Sequence, residues 1–200
     1  MSYYYEFDYD SKYCYDNSHV LRNKLNIKDE GKLASAEREI TAIRGAQILA
    51  EGIEGVFDYA AYKGLHKKLF GEIFDWAGVI RHVNIAKGNK FCLYEYIDEH
   101  MFNLFEELKN ENYLRDLKDE KLIGKRLAYY LGEINAIHPF REGNGRTQRL
   151  FIELLANDVG YYVDFDLIYN QRMLIASAQS FYGDYREMEG LIIHAMRKIE

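Results

Sequence analysis

Twelve consecutive residues, His138-Pro139-Phe140-Arg141-Glu142-Gly143-Asn144-Gly145-Arg146-Thr147-Gln148-Arg149, join two apolar stripes of helical spacing. Ile123, Leu127, Leu131, Ile134 and Ile137 precede them, and Leu150, Phe151, Leu154 and Leu155 follow. Steps of three and four place each stripe on one face of a helix. Pro139 is the only proline, and it pushes the residue before it out of the α region, so the first helix is expected to end near His138. The second is expected to open at the glycines.

Further helical stripes flank this pair. Leu33, Ala36, Ile40, Ile43, Ala46 and Ala50 form one; Leu65, Leu69, Phe70, Ile73 and Phe74 another; the stretch from Leu191 to Met196 a third. One segment departs from the rhythm. Val79, Arg81, Val83 and Ile85 alternate with Ile80, His82 and Asn84, then Gly88-Asn89 offers a turn before Phe91-Cys92-Leu93-Tyr94. The expectation is a mainly α fold in one domain, residues 1–200, carrying a β-hairpin at about 79–94. Two strands alone are marginal in water, so the hairpin must lean on the helices or be held by a partner.

The linking segment carries chemistry. A histidine at a helix end is placed beside the loop, where an imidazole can exchange a proton near neutral pH. Gly143 and Gly145 lack Cβ atoms and open a helix whose free amides and dipole favour an anion. Arg146 and Arg149, three apart, are expected to project from one face and grip two successive phosphates. Glu142 supplies a hard carboxylate suited to Mg²⁺. Base, anion cradle, metal carboxylate and two arginines within twelve residues match the needs of nucleotide-phosphate transfer. No Walker loop or dinucleotide fingerprint is present.

Composition narrows the partners. With 26 basic and 32 acidic residues the net charge is -6, which gives no bulk attraction to nucleic acid or anionic lipid. The opening MSYYYEFDYD lacks a signal peptide's basic and apolar regions, and no run is long enough to span a bilayer, so a soluble chain without a membrane segment is expected. Cys14 and Cys92 have no metal or redox spacing and read as inert, compatible with a reducing cytosol. His19, His66, His82, His100 and His194 show no metal-site clustering, and Trp76 reads as core.

At HPFREGNGRTQR the chain resembles the Fic family, fitting H-x-F-x-[DE]-G-N-G-R-x-x-R at every defined position. The likeness extends through Leu69-Phe70, Phe74-Asp75-Trp76-Ala77-Gly78, Ile80-Arg81, Asn84-Ile85 and Lys87-Gly88, and to Leu25-Asn26-Ile27 and Gly183-Asp184, covering roughly residues 20 to 195. The resemblance implies a helical Fic core with a hairpin flap, and protein adenylyl transfer: AMP moves from ATP to a Ser, Thr or Tyr hydroxyl of a target protein and pyrophosphate leaves. It implies His138 as general base and Glu142 as Mg²⁺ ligand. Gly143, Asn144, Gly145, Arg146 and Arg149 would bind the nucleotide, with Lys87 and Gly88 beside it. Arg81, Asn84 and Ile85 of the flap would dock the target. Gly145 favours AMP transfer, since kinase-like relatives with lysine there turn the nucleotide round. Two other readings stay open: a Fic enzyme transferring another nucleotide or phosphate-bearing group, and a silent module binding protein along the flap edge. Self-modification of one of the N-terminal tyrosines is a further possibility.

The resemblance also implies restraint by a helix bearing [S/T]-x-x-x-E-[G/N], whose glutamate pairs with the second motif arginine. Ser35 and Glu39 have the spacing but Ile40 follows; Glu189-Gly190 has the ending but Tyr185 stands at the first position. A separate antitoxin protein is therefore the expected regulator, either in a bacterial toxin–antitoxin setting or for an effector acting in a host cytosol.

Overall fold

The computed structural model describes residues 12–52, 56–87 and 89–199. Its elements are α1 (Glu30–Glu51), α2 (Tyr59–Phe70), β1 (Ala86–Lys87), β2 (Asn89–Lys90), α3 (Ile97–Asn110), α4 (Glu120–Ile137), α5 (Asn144–Asp158), β3 (Tyr161–Val163), α6 (Asn170–Ser180), α7 (Arg186–Ala195) and β4 (Met196–Lys198). Aspartates start three helices: Asp29 accepts from the Lys32 amide at 2.8 Å, Asp58 from Ala61 at 2.7 Å and Asp119 from Leu122 at 3.0 Å. Each satisfies a donor that the helix itself leaves open.

The pair α4 and α5 forms the centre. Every residue of the two stripes flanking the linking segment is buried, and Phe151, Leu155 and Leu127 are fully so. Two glycines on α4 let its neighbours approach: a Cβ on Gly124 would lie 2.5 Å from Ile193 Cγ1, and one on Gly132 would lie 2.9 Å from the Tyr185 ring. The stripe from Leu65 to Phe74 is also buried throughout.

Three expectations change. On α1 the buried residues are Leu33, Glu37, Thr41 and Ile48, while Ile43 is 62% exposed. The apolar stripe was thus one register away from the face that packs, because two polar side chains are turned inward to meet α5. At the C-terminus α7 stops at Ala195, and β4 pairs antiparallel with β3, which spacing gave no sign of. The hairpin is present but short: β1 and β2 pair antiparallel, Ala86 with Lys90 and Lys87 with Asn89. The alternating run 79–85 is not a strand, because its backbone bonds go elsewhere: the Arg81 amide donates to the Pro139 carbonyl at 2.9 Å, and Cys92 opposite donates to Ala136 at 3.1 Å. The base of the flap is therefore tied to the end of α4.

Candidate active site

At the end of α4 the chain reverses at His138, whose φ of 51° and ψ of 62° are left-handed while its amide still donates to Ile134 at 2.9 Å. The proline's pressure on the preceding residue is met by this turn. The imidazole is 4% exposed and stacks on Phe91 with centroids 3.8 Å apart. Its Nδ1 lies 3.2 Å from the Asn135 carbonyl, which can only accept. The proton therefore resides on Nδ1, and Nε2 carries the basic lone pair.

The loop that follows closes on itself. The Asn144 side chain accepts from the Phe140 amide at 2.9 Å and donates to the Phe140 carbonyl at 2.7 Å. The side chain thus staples the loop, and the Asn144 backbone amide is the group left to meet an anion. Phe140 is fully buried against His66, 3.8 Å between centroids, and Tyr62. Gly143 adopts φ +81°, and a Cβ there would sit 2.4 Å from the Phe70 ring, so no larger residue fits. The first backbone bond of α5 runs from Thr147 to Gly143 at 3.0 Å. The amides of Asn144, Gly145 and Arg146 thus precede the intrahelical ladder and carry the positive end of the dipole. A Cβ on Gly145 would meet only Arg149 Nη1, at 3.4 Å, so this glycine borders open space.

That space is a cleft of about 180 Å³ lined by His138, Gly145, Gln148 and Arg149 on one side and by Met173, Leu174 and Phe181 of the α6 region on the other. It brings base, anion cradle and one arginine together. Arg146 is directed elsewhere: its guanidinium bonds Glu37 at 2.6 Å and Thr41 at 3.3 Å, lies 4.7 Å over the Phe70 ring, and is 3.8 Å from Glu142. Arg146 and Arg149 therefore have different surroundings, the first against α1 and the second in the cleft. The two stand on neighbouring positions of one helix face, but the inward carboxylate on α1 captures the Arg146 guanidinium. Burial raises the pKa of Glu37, and Arg146 pulls it back down.

Glu142 is placed by two contacts. One carboxylate oxygen accepts from the Gly143 amide at 3.0 Å, and its carbonyl meets His66 Nε2 at 3.0 Å. His66, set aside on sequence grounds, is fully buried, and desolvation holds its pKa down to about 3. Its partners are backbone atoms, which no spacing rule exposes. Glu37 and Thr41 had a legible signal: two polar residues four apart at positions where a buried helix face should be apolar. Gln148, joined to Asn135 at 3.4 Å, and Phe91 were also missed.

On the flap, Arg81 is fully buried, which corrects its reading as a docking side chain. It donates to the carbonyls of His138 (2.8 Å), Val83 (2.7 Å), Cys92 (2.5 Å) and Ile137 (3.2 Å). Burial lowers its pKa to about 10, so it stays charged at neutral pH. Ile85 is buried as well, and Asn84 accepts from the Tyr94 amide at 3.0 Å. Lys87 contributes its backbone to β1; Gly88 lies outside the described residues. Of the inhibitory candidates, Glu39 is exposed, Ser35 accepts from Arg38, and Glu189 lies 3.6 Å from Lys125.

The helical core sets an oriented imidazole against the amide-rich start of a helix, an arrangement suited to binding an anion. The Fic/DOC family model matches residues 56–156, and the chain belongs to this family. It is 43% identical to protein adenylyltransferase VbhT of Bartonella schoenbuchensis, over 86% of this chain and 36% of that protein, so it spans about a third of that relative. It is 40% identical to Probable protein adenylyltransferase y4lH of Sinorhizobium fredii, over 86% of this chain and 88% of the relative. The ADP-bound N-terminal Fic domain of a Bep effector protein from Bartonella quintana superposes with a TM-score of 0.89 at 31% identity, covering 95% of this chain and 96% of that one.

Proposed function

We propose that this Fic chain is a protein adenylyltransferase, moving AMP from ATP to a side-chain hydroxyl of another protein. The observation that carries this reading is the pairing across one cleft of a single-tautomer His138 with the free amides of α5. His138 Nε2 takes the hydroxyl proton, the oxygen forms a bond to the α-phosphorus, and the α–β phosphoanhydride bond breaks to release pyrophosphate. The backbone amides of Asn144, Gly145 and Arg146 stabilise the charge that develops on the α-phosphate, while that of Gly143 holds the Glu142 carboxylate beside them. Arg149, beside Gly145 in the cleft, holds the terminal phosphates. Open space at Gly145 leaves room for phosphate there, in keeping with AMP transfer.

The residues present fit a divalent cation. Glu142 offers a carboxylate held in place by its neighbouring amide, and Mg²⁺ bound there would neutralise charge on the phosphates. Arg146, committed to α1, steadies this carboxylate from the side instead of gripping phosphate. The target docks along β1 and β2 through backbone edges, with Asn84 and Ile85 supporting the hairpin from beneath and Lys87 and Gly88 nearest the nucleotide. Regulation comes from a separate inhibitory protein, since neither Ser35/Glu39 nor Glu189-Gly190 completes the inhibitory motif. The setting is bacterial cytoplasm, or a host cytosol for a delivered effector; among the described residues no helix is long and apolar enough to cross a membrane.

The test is incubation of the chain with cell lysate and labelled ATP, with other labelled nucleotides in parallel. Label from the α-phosphate of ATP should enter protein, and His138→Ala should lower the rate about a hundredfold or more while ATP still binds. Transfer from a different nucleotide only, or none from any, would replace adenylyl transfer by one of the other readings.

A further inference from the structure

The Glu142–Gly143 peptide leads into the proposed anion cradle, and its orientation is decided by a side chain far away in sequence. His66 Nδ1 lies 2.8 Å from the Gly78 amide, which can only donate, so Nδ1 is an acceptor and the ring proton is on Nε2. Nε2–H then donates to the Glu142 carbonyl at 3.0 Å. The ring is clamped between neighbours, 3.8 Å from Phe140 and 4.7 Å from Phe70 by centroid, so its two bonds have fixed directions.

In a planar trans peptide the C=O and the following N–H point in opposite directions. Drawing the Glu142 carbonyl into the core therefore turns the Gly143 N–H outward, where it meets the Glu142 carboxylate at 3.0 Å. A lock is needed because of Gly143 itself. Packing demands glycine there, given the Phe70 ring 2.4 Å from any Cβ. Glycine, however, accepts positive and negative φ about equally, so this peptide could turn over and present a carbonyl to the phosphates instead.

We infer that His66 is a positioning residue for transfer: through its bond to the Glu142 carbonyl it holds the Gly143 amide toward the phosphate side and, through that amide, the Glu142 carboxylate. This inference rests on the adenylyl-transfer reading of the site. It also ties the connector after α2, at Gly78, to the motif loop, so the flap's base and the anion cradle share one anchor.

Two replacements separate the polar role from packing. In His66→Gln the amide nitrogen takes the place of Nε2 and keeps the bond to Glu142. In His66→Asn the side-chain oxygen takes the place of Nδ1 and keeps only the bond to Gly78. Both lose the aromatic stack, so their melting temperatures should fall together. The expected result is a kcat about tenfold to a hundredfold lower in H66N with KM for ATP changed far less, and a kcat within about threefold of the parent in H66Q, given what loss of one oriented donor costs. The inference is overturned if H66N keeps parental kcat, or if H66Q is as slow as H66N at equal melting temperature. A second readout works even if the parent transfers nothing, an outcome that would sink the adenylyl-transfer reading alone. The ¹⁵N–¹H resonance of Gly143 should shift on adding ADP and Mg²⁺ in the parent and in H66Q but not in H66N; the same shift in all three proteins overturns the positioning role.

Discussion

Among single residues, Glu37 has the most consequential contact that lies outside the motif. Its bond to Arg146 at 2.6 Å would ordinarily count as a buried ion pair, yet its pKa is raised, with desolvation outweighing the arginine. Removing a carboxylate from water offsets much of the Coulomb gain that the short contact suggests. Glu37→Gln should therefore change stability by less than about 1 kcal/mol, since a neutral isostere keeps the hydrogen bond. Without the carboxylate's charge Arg146 would be held more loosely and drawn toward Glu142, 3.8 Å away, to compete there with a cation. The expected outcome is a several-fold rise in the Mg²⁺ concentration for half-maximal transfer at an unchanged melting temperature. An unshifted Mg²⁺ titration would show that Glu37 does not keep Arg146 off the carboxylate.

At the scale of elements, the flap and α4 form one mechanical unit because of Arg81. Four carbonyls, two from the end of α4 and two from the flap's base, converge on one guanidinium. Arg81→Met keeps the volume but leaves buried acceptors without donors, at about 1–3 kcal/mol each for those that stay dry. The variant should melt lower by several degrees and lose kcat more than ATP affinity, because His138 hangs from the same carbonyl cluster. Differential scanning calorimetry and steady-state kinetics on one preparation would check both; a pure stability loss with parental kcat would mean that the flap's base does not steady the base. The short hairpin makes the same point. Alternation along 79–85 has the period of a strand, but pairing needs a sister strand, and the acceptor for Arg81's amide is Pro139.

The whole molecule carries a pH signature from His66. Its folded pKa, about 3, lies below the ordinary value of roughly 6.5, through burial first, while its bond to Glu142 opposes the shift and Arg146 adds to it. As pH falls below about 6.5 the unfolded chain takes up a proton that the native state refuses, so stability present above that pH is lost on acidification. The slope from this group is about 1.4 kcal/mol per pH unit between those values. Denaturant titrations from pH 7 to 4 should show it, and His66→Phe should flatten it; an equal slope in that variant would assign the acid sensitivity to other groups. On the same scale the chain divides into what was legible and what was not. The buried faces of α2, α4 and α5 and the helix–loop–helix that carries the motif followed from the sequence, since apolar spacing and contiguous chemical groups are local properties. Proline and glycine chemistry likewise placed His138 and opened α5. What the tertiary structure alone decided is which groups face which: Arg149 into the cleft and Arg146 onto Glu37, Arg81 into the core, and His66 onto the loop. The physical reason is distance along the chain. These contacts join residues 109, 57 and 76 positions apart, and a hydrogen bond to a distant backbone carbonyl has no periodicity by which a sequence could announce it.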